Sequence, residues 1–131
     1  MPAFEAREGM PYWIDLLTSE TRKSAYFYSR ILGWDVEEGD YRIARLQGMP
    51  VAGMVSQADA GDGDGAGAAM PDAWVTYFLS TDVARDAARV AELGGRVLAE
   101  PQRVSLGTMA LCADSAGGWF GLYEPEGEDS F

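Results

Sequence analysis

Two stretches of this chain echo one another at a fixed interval, and a duplicated supersecondary unit leaves few architectures open. Trp13 begins one stretch and Trp74 the other, 61 residues later. Leu32-Gly33-Trp34-Asp35-Val36 returns at the same interval as Leu93-Gly94-Gly95-Arg96-Val97. Each copy reads as an apolar strand, a helix, a Leu-Gly stop and further short strands. The order β-α-β-β-β, twice, is therefore expected.

In the first copy, residues 12–17 form an aromatic and aliphatic run fit for a strand, and Thr18-Ser19-Glu20 offers helix caps and an acidic first turn. From Arg22 to Leu32, Ala25, Phe27 or Tyr28, and Ile31-Leu32 recur at helical spacing. Gly33 stops that helix. Strands are expected over 34–38, 41–47 and 51–56, joined by the turn residues Gly39-Asp40 and Gly48-Met49-Pro50. The second copy gives a strand over 73–80 and a helix from Val83 to Leu93 capped by Asp82. Its buried side is read as Val83, Ala87, Val90, Ala91 and Leu93. Strands at 96–99, 104–113 and 119–124 follow. The organisation is thus one domain over 1–131: module one at 10–56, a Gly/Asp linker at 57–72, module two at 73–124 and an acidic tail at 125–131. The Asp and Gly alternation of residues 59–67 matches no complete EF-hand loop and lacks its closing glutamate.

Charge and residue counts exclude several functions. The 131 residues carry a formal net charge of −11, which opposes nucleic acid and anionic membrane surfaces alike. No apolar run nears the roughly 20 residues that span a bilayer. The first eight residues lack a basic region followed by an apolar core, so a cytoplasmic location is expected. Cys112 is the single cysteine and histidine is absent, so an intrachain disulfide and a Ser-His-Asp triad are both ruled out.

Taken in order, Trp13-Ile14-Asp15-Leu16, Ala25-Tyr26-Phe27-Tyr28 with Leu32-Gly33-Trp34, Val51-Ala52-Gly53-Met54, Glu92-Leu93-Gly94-Gly95 and Asp114 through Tyr123 resemble the vicinal oxygen chelate superfamily of glyoxalases, bleomycin-resistance proteins and extradiol dioxygenases. The resemblance implies an α+β glyoxalase-like fold. Its two βαβββ modules would build a curled, eight-stranded mixed sheet, a cup with the helices outside. Metal-dependent relatives place His, Gln or Glu at positions that fall here on Trp13, Gly53, Val75 and Gly121. None of these side chains donates a lone pair to zinc or iron. Neither a metal nor another cofactor is therefore expected.

The resemblance also places small ligands in the cup. Strand alternation then makes Trp13, Asp15, Gly53, Trp119, Gly121 and Tyr123 candidate ligand contacts. In the fifth strand either Val75 and Tyr77 or their neighbours Trp74 and Thr76 face inward. Arg45 and Gln47, with Ser105 and Thr108, are candidate polar contacts. The two glycines are expected to open room between aromatic rings.

The expected partner is a hydrophobic or aromatic small molecule, and the leading reading is sequestration of an antibiotic or secondary metabolite without catalysis. The alternative is a metal-free isomerase, cyclase or lyase with Asp15 as general base. Asp15 could instead pair with Arg42, Arg45 or Arg103. The resemblance further implies a homodimer.

Overall fold

Strands and helices alternate as the repeat requires. The structure, a computed structural model, describes residues 6–56, 72–104 and 107–126. The elements are β1 (Pro11–Thr18), α1 (Thr21–Leu32), β2 (Asp35–Val36), β3 (Tyr41–Leu46), β4 (Met49–Ser56), β5 (Ala73–Leu79), α2 (Val83–Glu92), β6 (Arg96–Val104), β7 (Gly107–Ala113) and β8 (Trp119–Pro125). Among the described residues, eight strands and two helices in β-α-β-β-β order, twice, match the expected class. Residues 57–71 of the linker, Ser105 and residues 127–131 of the tail lie outside the described residues.

The chain divides into two units. Ile14–Val75 forms the first; the second combines the residues up to Trp13 with those from Thr76 onward. In the first, the strand order is β2-β3-β4-β1. β1 runs parallel to β4 with Asp15 beside Gly53, while β3 is antiparallel to β4 and β2 to β3. In the second, the order is β5-β8-β7-β6. β5 runs parallel to β8 with Tyr77 beside Gly121, and the β7–β8 and β6–β7 pairs are antiparallel. The parallel pair exists in each because a helix carries the chain across, which a tight turn cannot do.

The two helices start alike. Thr18 Oγ1 accepts from the Glu20 amide and bonds Ser24 Oγ; Ser80 Oγ accepts from the Asp82 amide and donates to Asp86. α2 is capped as expected, Asp82 accepting from the Arg85 amide at 3.0 Å. α1 departs from expectation: its N-cap Glu20 makes no side-chain cap bond, and its first turn holds no acid. Glu20 pairs instead with Lys23. Gly33 closes α1 at φ 75°, a conformation that favours glycine, and its N–H reaches the Ser29 carbonyl.

The second unit is built on α2. Val83 and Ala87 pack with Ala110, Cys112 and Leu122, and Val90, Val97 and Phe120 border the cluster. The spacing 83, 87, 90 is one helical stripe. Ala91 and Leu93, read as buried from the sequence, are exposed because they fall past its edge. Burial, with Glu100 adding to it, pushes the Cys112 thiol up to about 11. We therefore expect iodoacetamide at pH 8 to leave native Cys112 unmodified while alkylating it in urea. Fast labelling of the folded protein would mean that this cluster is open.

Two further expectations change, and α1, whose apolar residues recur at helical spacing, has no buried residue. β2 contains only two residues and Trp34 precedes it. β6 continues to Val104 rather than ending at Ala99, because β7 offers it an antiparallel partner across two register shifts. The second of them, between Ala99 and Gln102, contains Pro101, which cannot donate to a ladder. Among the described residues no helix is long and apolar enough to cross a membrane.

Candidate functional site

In the first unit, the register that sets Asp15 beside Gly53 also sets Ile43 beside Gly53. Tyr41, two residues earlier on β3, consequently shares their face. Its hydroxyl donates to Asp15 Oδ1 at 2.6 Å. Asp15 is only 3% exposed. A Cβ added at Gly53 would collide with the Tyr41 hydroxyl and the Asp15 carboxylate. The glycine is there to admit this pair, so the room expected above Gly53 is filled. Of the arginines considered for Asp15, Arg45 bonds Glu37 at 2.8 Å and Arg103 bonds Glu126 at 2.8 Å, both in exposed pairs. Arg42 keeps a buried Nε without a hydrogen-bond partner. Gln47 lies exposed in the β3–β4 turn at φ 53°. Arg45 and Gln47 are thus surface groups; their polarity suggested a site, and the β3 bulge between Ala44 and Arg45 redirects the strand end.

The second unit repeats the device with a different side chain. A Cβ at Gly121 would enter the ring of Tyr77, so that ring lies where the glycine leaves space. Tyr77, Tyr123 and Leu111 are buried, and Leu111 and Gly121 are cross-strand partners. Tyr123 tilts against Tyr12 with ring centroids 5.5 Å apart, and burial raises the Tyr12 phenol above its ordinary range. Trp119 occupies the same face of β8 by alternation and is half-buried. Thr108 does not. It alternates with Ala110 and Cys112, which face α2, so Thr108 is on the helix side. Trp13, 1% exposed, and Val75 are buried as well. Sequence reasoning missed Tyr41, Tyr12 and Leu111. Only the β3–β4–β1 register identifies Tyr41, and that register is non-local.

Open space lies on the other face of β1. Leu16 and Thr18, which alternate with Asp15, border a cleft of about 440 Å³ with Ser24, Phe27, Tyr28 and Trp74. Its rings are held in place. Trp74 Nε1 donates to the Tyr28 hydroxyl at 3.0 Å, Tyr28 stacks on Trp34 at 5.6 Å, and Trp34 meets Trp74 edge-on at 6.0 Å. The polar end is the Thr18–Ser24 hydroxyl pair beside Asp72, whose carboxylate accepts from Ser19 N and from both the Ser19 and Thr18 hydroxyls. Ligand pockets are typically of this size, mostly apolar with a few placed polar groups.

The donor set does not suit a metal. The four positions matched to metal ligands carry an indole, an isopropyl group and two hydrogens, and the space at both glycines is taken by tyrosines. Among the described residues no three His, Cys, Asp or Glu side chains gather as a coordinating group. Glu124 accepts from the Val83 amide at the start of α2.

Residues 12–122 match the model of the glyoxalase/bleomycin resistance protein/dioxygenase superfamily. The glyoxylase CFP32 of Mycobacterium tuberculosis is 30% identical over 128 residues, which cover 92% of this chain and 47% of CFP32. The anthracycline biosynthesis protein DnrV of Streptomyces peucetius is 33% identical over 129 residues, 88% of this chain and 46% of that protein. The chain thus spans about half the length of the curated relatives it matches. Among solved structures, a Streptomyces coelicolor methylmalonyl-CoA epimerase superimposes with a TM-score of 0.61 at 19% identity, covering 92% of this chain and all of the epimerase. Homoprotocatechuate 2,3-dioxygenase of B. fuscum gives 0.61 at 18%, covering 96% of this chain and 35% of the enzyme. Both share its fold.

Proposed function

Because the chain belongs to the glyoxalase/bleomycin resistance protein/dioxygenase superfamily, we propose that it binds an apolar, aromatic small molecule without a metal and holds it rather than transforming it. The carrying observation is the cleft walled by Phe27, Tyr28 and Trp74, in which the Trp74 indole is already hydrogen-bonded to the Tyr28 hydroxyl. Preorganised surfaces spend less of their binding energy on ordering. Micromolar affinity requires about 8 kcal/mol. Ring-on-ring contacts contribute about 0.5–1.5 kcal/mol each beyond the area they bury, so two or three of them and the buried area suffice. The anthracycline-biosynthesis name of one relative supports a polycyclic aromatic ligand, such as an antibiotic or its precursor. Pairing of two copies is part of this reading.

The test is a titration of the full chain with planar aromatic compounds, an anthracycline among them, followed by tryptophan fluorescence and calorimetry. Quenching with micromolar affinity is expected, weakened about tenfold in Trp74→Ala. Unchanged binding in that variant would remove the cleft from the proposal, and no response to any compound would remove the ligand class.

One observation favours a second reading. A carboxylate as buried as Asp15, bonded to a phenol at 2.6 Å, is equipped to move a proton. A metal-free isomerase, cyclase or lyase with Asp15 as general base is the function it would serve.

A further inference from the structure

The polar end of the aromatic cleft is a short relay of hydroxyl groups, and its protons can be placed one by one. A hydroxyl has one proton to give and two lone pairs to offer, whereas a carboxylate only accepts. Thr18 is 1% exposed, so its Oγ1 must be satisfied within the protein. That oxygen accepts from the Glu20 amide at 3.1 Å, lies 2.8 Å from Ser24 Oγ and reaches Asp72 Oδ2 at 3.3 Å. The proton on the Asp72 contact can come only from Thr18. Were Thr18 to donate to Ser24 instead, two oxygens with lone pairs, one of them charged, would face each other at 3.3 Å with no hydrogen between them. Ser24 therefore donates to Thr18 and Thr18 to Asp72, a chain in which each bond strengthens the next toward the negative charge.

Ser24 Oγ is left with lone pairs and no proton to give. It borders the cleft beside Asp72, whose two oxygens already accept from Ser19 N and from the Ser19 and Thr18 hydroxyls. Lys23 also borders the cleft, but its side chain is 79% exposed and its ammonium lies 3.4 Å from Glu20, so its charge stays at the surface. We propose, as a step that rests on the cleft reading above, that the aromatic ligand carries a hydrogen-bond donor, a hydroxyl or an amino group, and that Ser24 Oγ is the acceptor that selects it. A methyl ether or a carboxylate in the same place sets lone pairs against lone pairs and strips Ser24 of water without replacing its bond. The rings fix how tightly planar molecules are held; Ser24 decides which of them is held best.

Calorimetric titration of the full chain with naphthol, methoxynaphthalene and naphthoate, all substituted at the same ring carbon, tests the assignment. Naphthol is expected to bind about tenfold more tightly than either of the others, the effect of one hydrogen bond gained and one acceptor left unmet. Ser24→Ala, a change that suits a helix, should bring naphthol down to the affinity of the ether and leave the ether no weaker, with an unchanged circular dichroism spectrum. Trp74→Ala should weaken all three alike, because a ring contact does not read the substituent. Equal binding of naphthol and the ether by wild type overturns the donor requirement while the cleft reading stands. A preference for naphthoate overturns it in favour of Lys23 or the Tyr28 hydroxyl. A naphthol preference that survives Ser24→Ala removes Ser24 as the acceptor. Failure of all three to bind overturns the cleft reading and the donor requirement together.

Discussion

Gly121→Ala is expected to lower the melting temperature by roughly 5 °C, although alanine suits a strand better than glycine does. Relief of glycine's backbone freedom favours the variant by about 0.5–1 kcal/mol. Against it stands the Tyr77 ring, which occupies the position a Cβ would take. Overpacking a filled core costs about 1–3 kcal/mol, and Tyr77 is buried with little space to retreat. The clash prevails, and at about 3–5 °C per kcal/mol for a chain of this size the loss is easily read by calorimetry. Tyr77→Leu placed in the same background should recover part of it, giving a non-additive cycle of the kind contacting residues show. A Gly121→Ala protein melting at or above wild type would show that Tyr77 does not cover this glycine. Gly53→Ala poses the same question to Tyr41 and Asp15, with a polar pair in place of a ring.

These glycines also mark where sequence reasoning stopped. Both fall on the positions matched to metal ligands, and their lack of a donor was legible directly. What filled the space was not. Tyr41 and Gly53 are twelve positions apart on adjacent strands, and only the β3–β4 register brings one over the face of the other. The repeat made the element order readable because each copy carried its own Leu-Gly helix stop. Strand ends were less readable: β6 runs to Val104 on account of β7, a partner that its own residues do not announce. Thr108 was misplaced for a related reason. Its hydroxyl suggested a ligand contact, whereas the alternation that puts Ala110 and Cys112 against α2 carries Thr108 to the same side. The helical pattern of α1 located an apolar face but not its covering, since periodicity shows which side is apolar but not what lies against it.

The Asp15–Tyr41 pair carries the other large prediction. Tyr41→Phe removes one donor from a carboxylate that is almost wholly buried, and a hydrogen bond to a charged group contributes about 1.5–3 kcal/mol. Asp15→Ala should cost at least as much, because it breaks the same bond and opens a small void. Asp15→Asn keeps an acceptor of the same shape and should be the mildest of the three. Combining Asp15→Ala with Tyr41→Phe should cost less than the sum of the single changes, since either alone has already broken the shared bond. Full additivity in urea denaturation would show that the two groups do not interact. The mild variant also distinguishes holding a ligand from transforming it. If Asp15→Asn binds the aromatic ligand as wild type does and nothing else is lost, the carboxylate serves the fold. If the fold survives while turnover of a substrate on the Asp15 face of β1, away from the aromatic cleft, falls by the 10²–10⁴-fold typical of a lost general base, Asp15 moves a proton and the chain is an enzyme.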